Sequence, residues 1–438
     1  MRMPSVTLTH TGVQPQLQHA SSAALATRLR TQWPSIRTSV QSNPLTLDSA
    51  DDRWWRNAFR NGTAENGQLL DYLCLSVFGH LDDAWNYVTA SSRALLAGDL
   101  WTATHLGYYA ELRAAASMLA ASGIGIINIR SFLVGTSGAV LPINASNHQP
   151  CKLGTHKAIW PVLSAWSATS HATRILGAVQ IAGISVGDIA NHMSLPIQSS
   201  FADLMDELGI DLQLVSKDHL VRNRSSYNPT ACMGISSSAG ATSDILARAW
   251  QTVDESQFVE RTGIELLLRS KGDPLGPERE LFLEKLKFVI IELGGSASEQ
   301  DLARWKSFAS SPRLPETKIR AELNASNFWL GTWSRAFQLC LLAIVSARWF
   351  LRQATIHDPA ITLEPWWGFH GERSGLFVRS SMTELADLAA DIAVQAQAAH
   401  AANANAPRDH FDLWALTEAN GPKGIGVFGR VGLLGAYS

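Results

Sequence analysis

A long helical periodicity in the first third of the chain constrains the fold most strongly. Apolar side chains recur at three- and four-residue spacing from Gly67 to Phe78, as in a helix that buries one face in a core. A similar run covers Leu81 to Leu96, and Asp99 is then placed to cap a long helix that ends near Ser122. We therefore expect a mostly α protein whose core forms around these helices.

The period of the pattern changes after Gly123. Residues 124–134 (IGIINIRSFLV) and 139–144 (AVLPIN) flank the turn sequence GTSG, which predicts a β-hairpin inserted at 124–144. Beyond the hairpin, Thr155 is the predicted N-cap of a helix from His156 to about Thr173.

The chain is predicted to form two helical units, because 438 residues are about three times the ~150 residues common for one domain. Residues 1–50 are expected to form a flexible N-terminal arm, and residues 51–234 the first unit, which carries the hairpin. A Ser/Gly-rich stretch, 235–243, is the predicted linker, and residues 244–438 form the second unit with a Gly-rich C-terminal coil. Helices of the second unit are expected at 244–250, 258–270, 277–293, 298–309, 324–353 and 382–402.

Charge and composition exclude bulk binding of nucleic acid. The chain has 36 Lys and Arg against 38 Asp and Glu, so its formal charge is -2. Charged residues make up only 17% and apolar residues 46%, which is enough for a large core. The pairs Trp54–Trp55 and Trp366–Trp367 have rings that can stack on bases, but filling gaps between helices is the favoured interpretation.

The cysteines and the most apolar segment predict a cytoplasmic protein that contacts no membrane. The four cysteines, Cys74, Cys151, Cys232 and Cys340, are far apart and form no zinc-ligand pattern, so free thiols and no metal or other cofactor are expected. The apolar run from Ala336 to Leu351 falls short of the ~20 residues needed to span a bilayer. It is expected to form a buried helix or an oligomer contact.

Two glycine patterns resemble functional motifs without their context. Gly424–Gly429 matches GxGxxG, but only nine residues of this sequence follow it, too few for the rest of a dinucleotide-binding unit. Gly183–Gly187 matches the GxSxG nucleophile elbow around Ser185, which requires a parallel sheet that the pattern does not predict. We expect Ser185 to lie at a junction between a helix and a loop.

The segment from Lys217 to Pro229 carries the candidate catalytic residues. Arg222 and Asn223 lie near the end of a short predicted helix, and Tyr227 follows about one turn later. An arginine there can stabilise charge on a phosphate, while Tyr227 or His219 can transfer a proton. Metal-free cleavage of RNA through a cyclic phosphate needs these two roles. The simpler interpretation is that Arg222 is a surface charge near a helix C-terminus.

The R-x4-Y spacing of Arg222 and Tyr227 resembles the R-x4-6-H signature of HEPN-type helical nucleases and nucleotide-binding domains. The stretch from Gly107 to Ile126 is similar to the long first helix of HEPN-like proteins, and the resemblance covers roughly residues 65–230. Tyr227 stands where the family has its catalytic histidine. Because a tyrosine with a reference pKa near 10 is a poor base at neutral pH, activity as an enzyme stays open.

The resemblance implies an RNA-targeting or nucleotide-binding component of a bacterial toxin or antiphage defence system. As an enzyme it would be a metal-independent ribonuclease in which Arg222 binds phosphate, Asn223 orients it, and Tyr227 or His219 transfers the proton. HEPN sites are commonly shared across a homodimer, so a homodimer or a complex with another protein is expected. The alternative is a non-catalytic helical scaffold that binds partners through tryptophan-rich faces.

Overall fold

The computed structural model describes nine stretches of the chain, and within them the protein is mostly α, as predicted. These residues contain 12 helices, a three-stranded sheet and a two-stranded sheet. The described residues are 10–39, 66–96, 99–127, 130–144, 153–197, 200–208, 210–212, 255–310 and 328–356.

The elements before residue 213 build most of the helical core and both sheets. The helices are α1 (His10–Leu17), α2 (Ser22–Ser39), α3 (Asn66–Leu96), α4 (Leu100–Ala121), α5 (Thr155–Ser167), α6 (Ser170–Gly177), α7 (Val186–His192) and α8 (Phe201–Glu207). The strands are β1 (Ile124–Ile127), β2 (Arg130–Val134), β3 (Val140–Pro142), β4 (Gln180–Ile181) and β5 (Ile184–Ser185). The later helices are α9 (Glu255–Ser270), α10 (Pro277–Glu292), α11 (Glu299–Ser310) and α12 (Phe328–Gln353).

Helices α3 and α4 form an antiparallel pair at the centre of the described core. The two predicted helices 67–78 and 81–96 are one continuous helix. The single glycine between them, Gly79, lowers helix stability by only about 1 kcal/mol relative to alanine, so it does not end the helix. Asp99 caps α4 as predicted, since its carboxylate accepts a hydrogen bond from the Thr102 backbone N–H at 3.1 Å. Gly123, at φ +83°, ends the helix with a backbone conformation that favours glycine.

Helix α12 packs against α3 and α4. The Trp85 and Phe337 rings meet edge-on with centroids 5.8 Å apart, and the Trp333 indole N–H donates to the Ser92 hydroxyl at 2.8 Å. Six tryptophans of the described residues are buried in the core and fill gaps between helices: Trp85, Trp160, Trp166, Trp305, Trp333 and Trp349. The paired tryptophans at 54–55 and 366–367 lie outside the described residues.

The segment Gly331–Gln353 of α12 is long and apolar enough to cross a membrane, and it is the one such helix among the described residues. Its most apolar window is 94% buried inside the protein. This burial agrees with the predicted buried helix. A helix in the core of a folded protein can be as long and as apolar as one that spans a membrane.

The predicted hairpin at 124–144 is a three-stranded antiparallel meander. Its GTSG turn joins β2 to β3, as expected, with Val134 opposite Val140. The segment predicted as one strand is instead two, because the chain reverses between Ile127 and Arg130, which are paired across β1 and β2. The Asn128 in that interval is a residue type typical of turns.

The helix predicted at 156–173 is also divided in two. Thr155 is the first residue of α5 and the N-cap is Gly154, so the predicted cap was wrong by one position. Thr169 caps α6 instead, and its hydroxyl accepts from the Ala172 N–H at 3.3 Å. A threonine that satisfies these backbone donors starts a new helix rather than continuing the old one.

Helices from both sides of the predicted linker contribute to one core. Residues 10–39, inside the predicted flexible arm, form α1 and α2, and they bury Leu17, Leu25 and Leu29. The Arg28 guanidinium on α2 binds both carboxylate oxygens of Asp71 on α3, at 2.7 and 3.0 Å. The linker at 235–243 lies outside the described residues, so the domain boundary stays a prediction.

Candidate functional site

The four predicted catalytic residues lie outside the described residues. Arg222, Asn223, Tyr227 and His219 all belong to the interval 213–250. Their roles therefore stay predictions.

Ser185 is a helix cap rather than a nucleophile. It ends β5, which pairs antiparallel with β4, and no parallel strand pair is found among the described residues. Its hydroxyl accepts from the Asp188 backbone N–H at 3.0 Å and donates to the Asp188 carboxylate. Ser185 thus begins a helix, as expected, but it joins that helix to strand β5 rather than to a loop.

A row of polar and aromatic side chains lies along the pair of helices α3 and α4. Hydrogen bonds from Ser117 Oγ to the Val77 carbonyl and from Ser91 Oγ to the Ala103 carbonyl fix the antiparallel register of the two helices. Successive members of the row are three or four residues apart on each helix, so they share one face. We call this row the α3–α4 strip: Tyr72, Ser76, His80, Asp83 and Tyr87 on α3, with His105, Tyr109 and Arg113 on α4.

Arg113 lies at the centre of the strip. Its Nη1 is 3.0 Å from His80 Nδ1, and its Nε is 3.4 Å from the Asp83 carboxylate. Because a guanidinium only donates, Nδ1 of His80 accepts and the ring proton resides on Nε2. Burial, and next the charge of Arg113, lower the pKa of His80 to about 3, so this imidazole is neutral at physiological pH.

Aromatic rings occupy the end of the strip beyond Arg113. Tyr87 and Tyr109 are stacked with centroids 5.4 Å apart, and the His105 ring meets Tyr109 edge-on at 5.1 Å. All three side chains are partly exposed. Tyr109 precedes Arg113 by four residues, so a ring face and a cation are about 6 Å apart along the helix axis.

Helix α5 adds a second histidine beside the rings. Tyr108 is fully buried, and its hydroxyl lies 2.9 Å from Nδ1 of the partly exposed His156. The His156 ring is stacked on Tyr108 and lies 5.9 Å from Tyr109. This contact holds the imidazole at the edge of the strip, because a buried hydroxyl needs a hydrogen-bond partner.

The opposite end of the strip borders a small cavity against β1. The space open to water-sized groups is about 10 Å³, enough for roughly one water. Burial is the main cause that raises the pKa of the Tyr72 phenol, which therefore stays protonated. The polar side chains on its wall are Tyr72, Ser76 and His80.

The chemistry of the strip suits an anionic ligand with a planar group. Ring faces stack on planar groups, a guanidinium binds phosphate or carboxylate, and a neutral imidazole accepts or donates a hydrogen bond. The sequence contained a signal for it, since His105, Tyr109 and Arg113 are spaced by four on a predicted helix. The sequence pattern of that helix predicted close helix packing through its small residues, and the spacing of these three polar side chains was not used.

The described residues contain no group of three or more histidine, cysteine or acidic side chains that could hold a metal ion. Cys74 and Cys340 are free and buried, and burial raises the pKa of both thiols, so they stay protonated. Cys151 and Cys232 lie outside the described residues.

Comparisons of the chain with protein-family models, with curated proteins and with solved structures found no match. The class of protein is therefore argued from the α3–α4 strip and from the sequence motif alone. The HEPN-like resemblance stays a prediction.

Proposed function

We propose that the chain is a HEPN-like RNA-targeting or nucleotide-binding component of a bacterial toxin or antiphage system. One observation carries the binding role: the partly exposed Tyr87–Tyr109 ring pair lies one helical turn from the Arg113 guanidinium. A base stacked on the rings has its own phosphate within reach of the cation. Stacking contributes about 1–3 kcal/mol per base and is tolerant of sequence.

The ion pair between Arg113 and Asp83 does not prevent this binding. Both side chains are about two-fifths exposed, with relative areas of 37% and 47%, and the closest approach is 3.4 Å. An exposed pair of this kind contributes only about 0–1 kcal/mol. A phosphate therefore replaces Asp83 as the partner of Arg113 at little cost.

His80 sets the orientation of Arg113. Its Nδ1 accepts one N–H of the guanidinium, which leaves the remaining N–H groups for a ligand. Since the imidazole is neutral, it does not repel the guanidinium that it orients. His80 is in this role a positioning residue.

The predicted catalytic residues belong to the same proposal as a separate step. In it Arg222 binds the scissile phosphate, Asn223 orients it, and Tyr227 or His219 transfers the proton. The strip would then bind the strand whether or not the chain cleaves it.

Binding is tested by fluorescence anisotropy with labelled single-stranded RNA at fixed salt in EDTA. Tyr109→Ala and Arg113→Gln are each expected to weaken binding about fivefold or more. Arg113→Gln should also reduce the slope of log affinity against log salt by about one, because one phosphate contact is lost. Lys271→Gln removes an exposed charge just after α9 and is the matched control. Equal affinities for all four proteins would contradict the binding role.

Cleavage is tested separately, with total RNA and labelled oligonucleotides in EDTA. The enzyme proposal expects cleavage by the wild-type chain and its loss in Arg222→Ala. Binding without cleavage would instead support a degenerate, binding-only HEPN-like domain.

The non-catalytic alternative has an observation of its own, on α10. Leu281 and Phe288 are 68% and 64% exposed, and they share one face of α10 because they are seven residues, about two helical turns, apart. Two copies of α10 can pair antiparallel about a point between Glu284 and Lys285. Each Leu281 then lies opposite a Phe288, and each Glu284 lies opposite a Lys285. This self-complementary face favours a homodimer as the occupant.

Sedimentation measures this dimer. Phe288→Glu should shift the chain toward the monomer, whereas Lys271→Gln, at an exposed position after α9, should leave the mass unchanged. A monomeric wild-type chain at micromolar concentration would rule out the α10 contact.

A further inference from the structure

The α3–α4 strip combines one stacked ring pair with one guanidinium. The rings of Tyr87 and Tyr109 have centroids 5.4 Å apart, and Arg113 follows Tyr109 by four residues. We propose that the strip takes a single nucleotide, with the base on the rings and the phosphate on the guanidinium, rather than a length of RNA. This inference rests on the proposed function, because it narrows the ligand of the same site.

The spacing of the two groups fits the two halves of one nucleotide. Tyr109 and Arg113 are about 6 Å apart along the axis of α4, and both side chains are partly exposed on the same face. The base and the phosphate of a nucleotide are joined through one ribose. Both halves can therefore reach their partners at the same time, without a second nucleotide.

The charges of the two helices do not favour a longer strand. Arg93 and Arg113 are the only lysine or arginine residues of α3 and α4, and Arg93 lies about 120° around the helix from Tyr87. The Asp83 carboxylate, 3.4 Å from Arg113 Nε, balances the charge of the guanidinium. Affinity for a strand rises with the number of phosphates that cations neutralise. A balanced pair of charges therefore gains little from additional phosphates.

Apolar side chains close the end of the strip beyond His80. The wall of the small cavity against β1 is mostly apolar and includes Leu73, Leu119 and Ile126. Its open space of about 10 Å³ holds roughly one water. A second nucleotide would bring a charged phosphate against these apolar groups, and such a contact is costly. A strand therefore has no favourable path in this direction.

The phosphate takes the place of Asp83 at the guanidinium. The side chains of Arg113 and Asp83 are both partly exposed, so the carboxylate can turn to solvent. His80 Nδ1 keeps its hydrogen bond to Arg113 Nη1 at 3.0 Å, so the guanidinium keeps its direction while its anionic partner changes. Two phosphate oxygens match the forked N–H groups of an arginine. Because Asp83 competes with the ligand, its removal should raise the affinity.

Isothermal titration of the full chain at fixed salt in EDTA compares four ligands: uridine 5′-monophosphate (UMP), uridine, ribose 5-phosphate and octauridylate. UMP should bind about tenfold or more tightly than uridine, which lacks the charge-assisted hydrogen bond. It should bind about fivefold or more tightly than ribose 5-phosphate, which lacks the stacked base. Octauridylate should exceed UMP only by the statistical factor of its eight equivalent nucleotides. Recognition of a strand would instead raise the affinity about a hundredfold or more, because each further stacked base contributes at least about fivefold.

Variants assign the two halves of the ligand. Arg113→Gln should reduce the affinity for UMP to that for uridine, and Tyr109→Ala should reduce it to that for ribose 5-phosphate. Asp83→Asn should strengthen UMP binding about twofold to fivefold, a gain that a misfolded variant cannot produce. Lys157→Gln removes an exposed charge on α5, next to His156 at the ring end of the strip, and is the matched control. It should bind UMP and octauridylate as the wild type does.

Three results would overturn the inference. They are octauridylate binding a hundredfold tighter than UMP, a lower affinity for octauridylate in Lys157→Gln, and an affinity for UMP that does not rise in Asp83→Asn. In the first two cases the strip binds RNA as a strand, so the proposed function stands while the single-nucleotide inference fails. If neither UMP nor octauridylate binds, the proposed binding role fails together with the inference.

Discussion

The ion pair between Glu111 and Arg335 joins two central helices inside the core, and removing one partner should be strongly destabilising. Arg335 Nε lies 3.0 Å from Glu111 Oε1, and the side chains are 5% and 0% exposed. Glu111→Leu removes the carboxylate that binds this buried guanidinium. The expected loss is about 3–5 kcal/mol of unfolding free energy.

A double-mutant cycle separates the pair from the packing around it. Arg335→Met alone should cost about as much as Glu111→Leu alone, because each leaves one buried charge. The double variant should recover most of the loss, since apolar groups of similar volume replace both charges. The loss in a single variant corresponds to a melting temperature lower by about 3–5 °C.

Differential scanning calorimetry and urea unfolding supply the measurement. Lys271→Met, an exposed charge-to-apolar change just after α9, is the control and should stay within about 0.5 kcal/mol of the wild type. Single variants that cost less than about 1 kcal/mol would refute the argument. It would also be refuted if the double variant lost as much unfolding free energy as the two single variants together, because the two charges would then not interact.

Three further changes test other parts of the fold. Gly125→Ala should destabilise by about 1–3 kcal/mol in thermal melts, because an added Cβ would lie 2.2 Å from the Phe132 ring. Burial is the main cause that raises the pKa of Asp82 to about 7 in the folded protein. The contribution of this group to folding is fully present below its unfolded pKa, near 3.8, and is lost as the pH rises through about 7. Asp82→Asn should therefore stabilise the protein more at pH 8 than at pH 4, as measured by melting at both. Ser185→Ala should cost about 1 kcal/mol through loss of the α7 cap and leave RNA binding intact.

Each of these has a clear contrary result. An unchanged melting temperature for Gly125→Ala would mean that the meander accommodates a methyl group. Equal effects of Asp82→Asn at the two pH values would mean that this carboxyl does not titrate differently on folding. A hydrolytic activity that disappears in Ser185→Ala would restore the nucleophile interpretation.

The helices of the core were predictable because their signals are local. The apolar spacing of α3 and the cap at Asp99 each act within a few residues, so the chain specifies them without tertiary contacts. The break in the predicted strand at 128–129 was not predicted, since a short apolar run can continue straight or turn. Only the pairing of β1 with β2 decides it.

The α3–α4 strip depends on register, which local patterns do not define. Tyr87 and Tyr109 are 22 residues apart, and they meet because serine hydrogen bonds lock α3 against α4. The contact of α12 with the end of α6 needs a still longer separation, as Arg352 reaches the Ala178 carbonyl 174 residues earlier. Neither juxtaposition could be derived from the spacing of residues within one helix.

The position of α12 in the chain has a consequence for synthesis on the ribosome. Trp333 contacts Ser92 across 241 residues, and Arg335 contacts Glu111 across 224. At about 5–20 residues per second, α3 and α4 wait some tens of seconds before α12 is made and covers their apolar faces. The nascent chain is therefore exposed to aggregation during an interval that ends only when α12 leaves the exit tunnel.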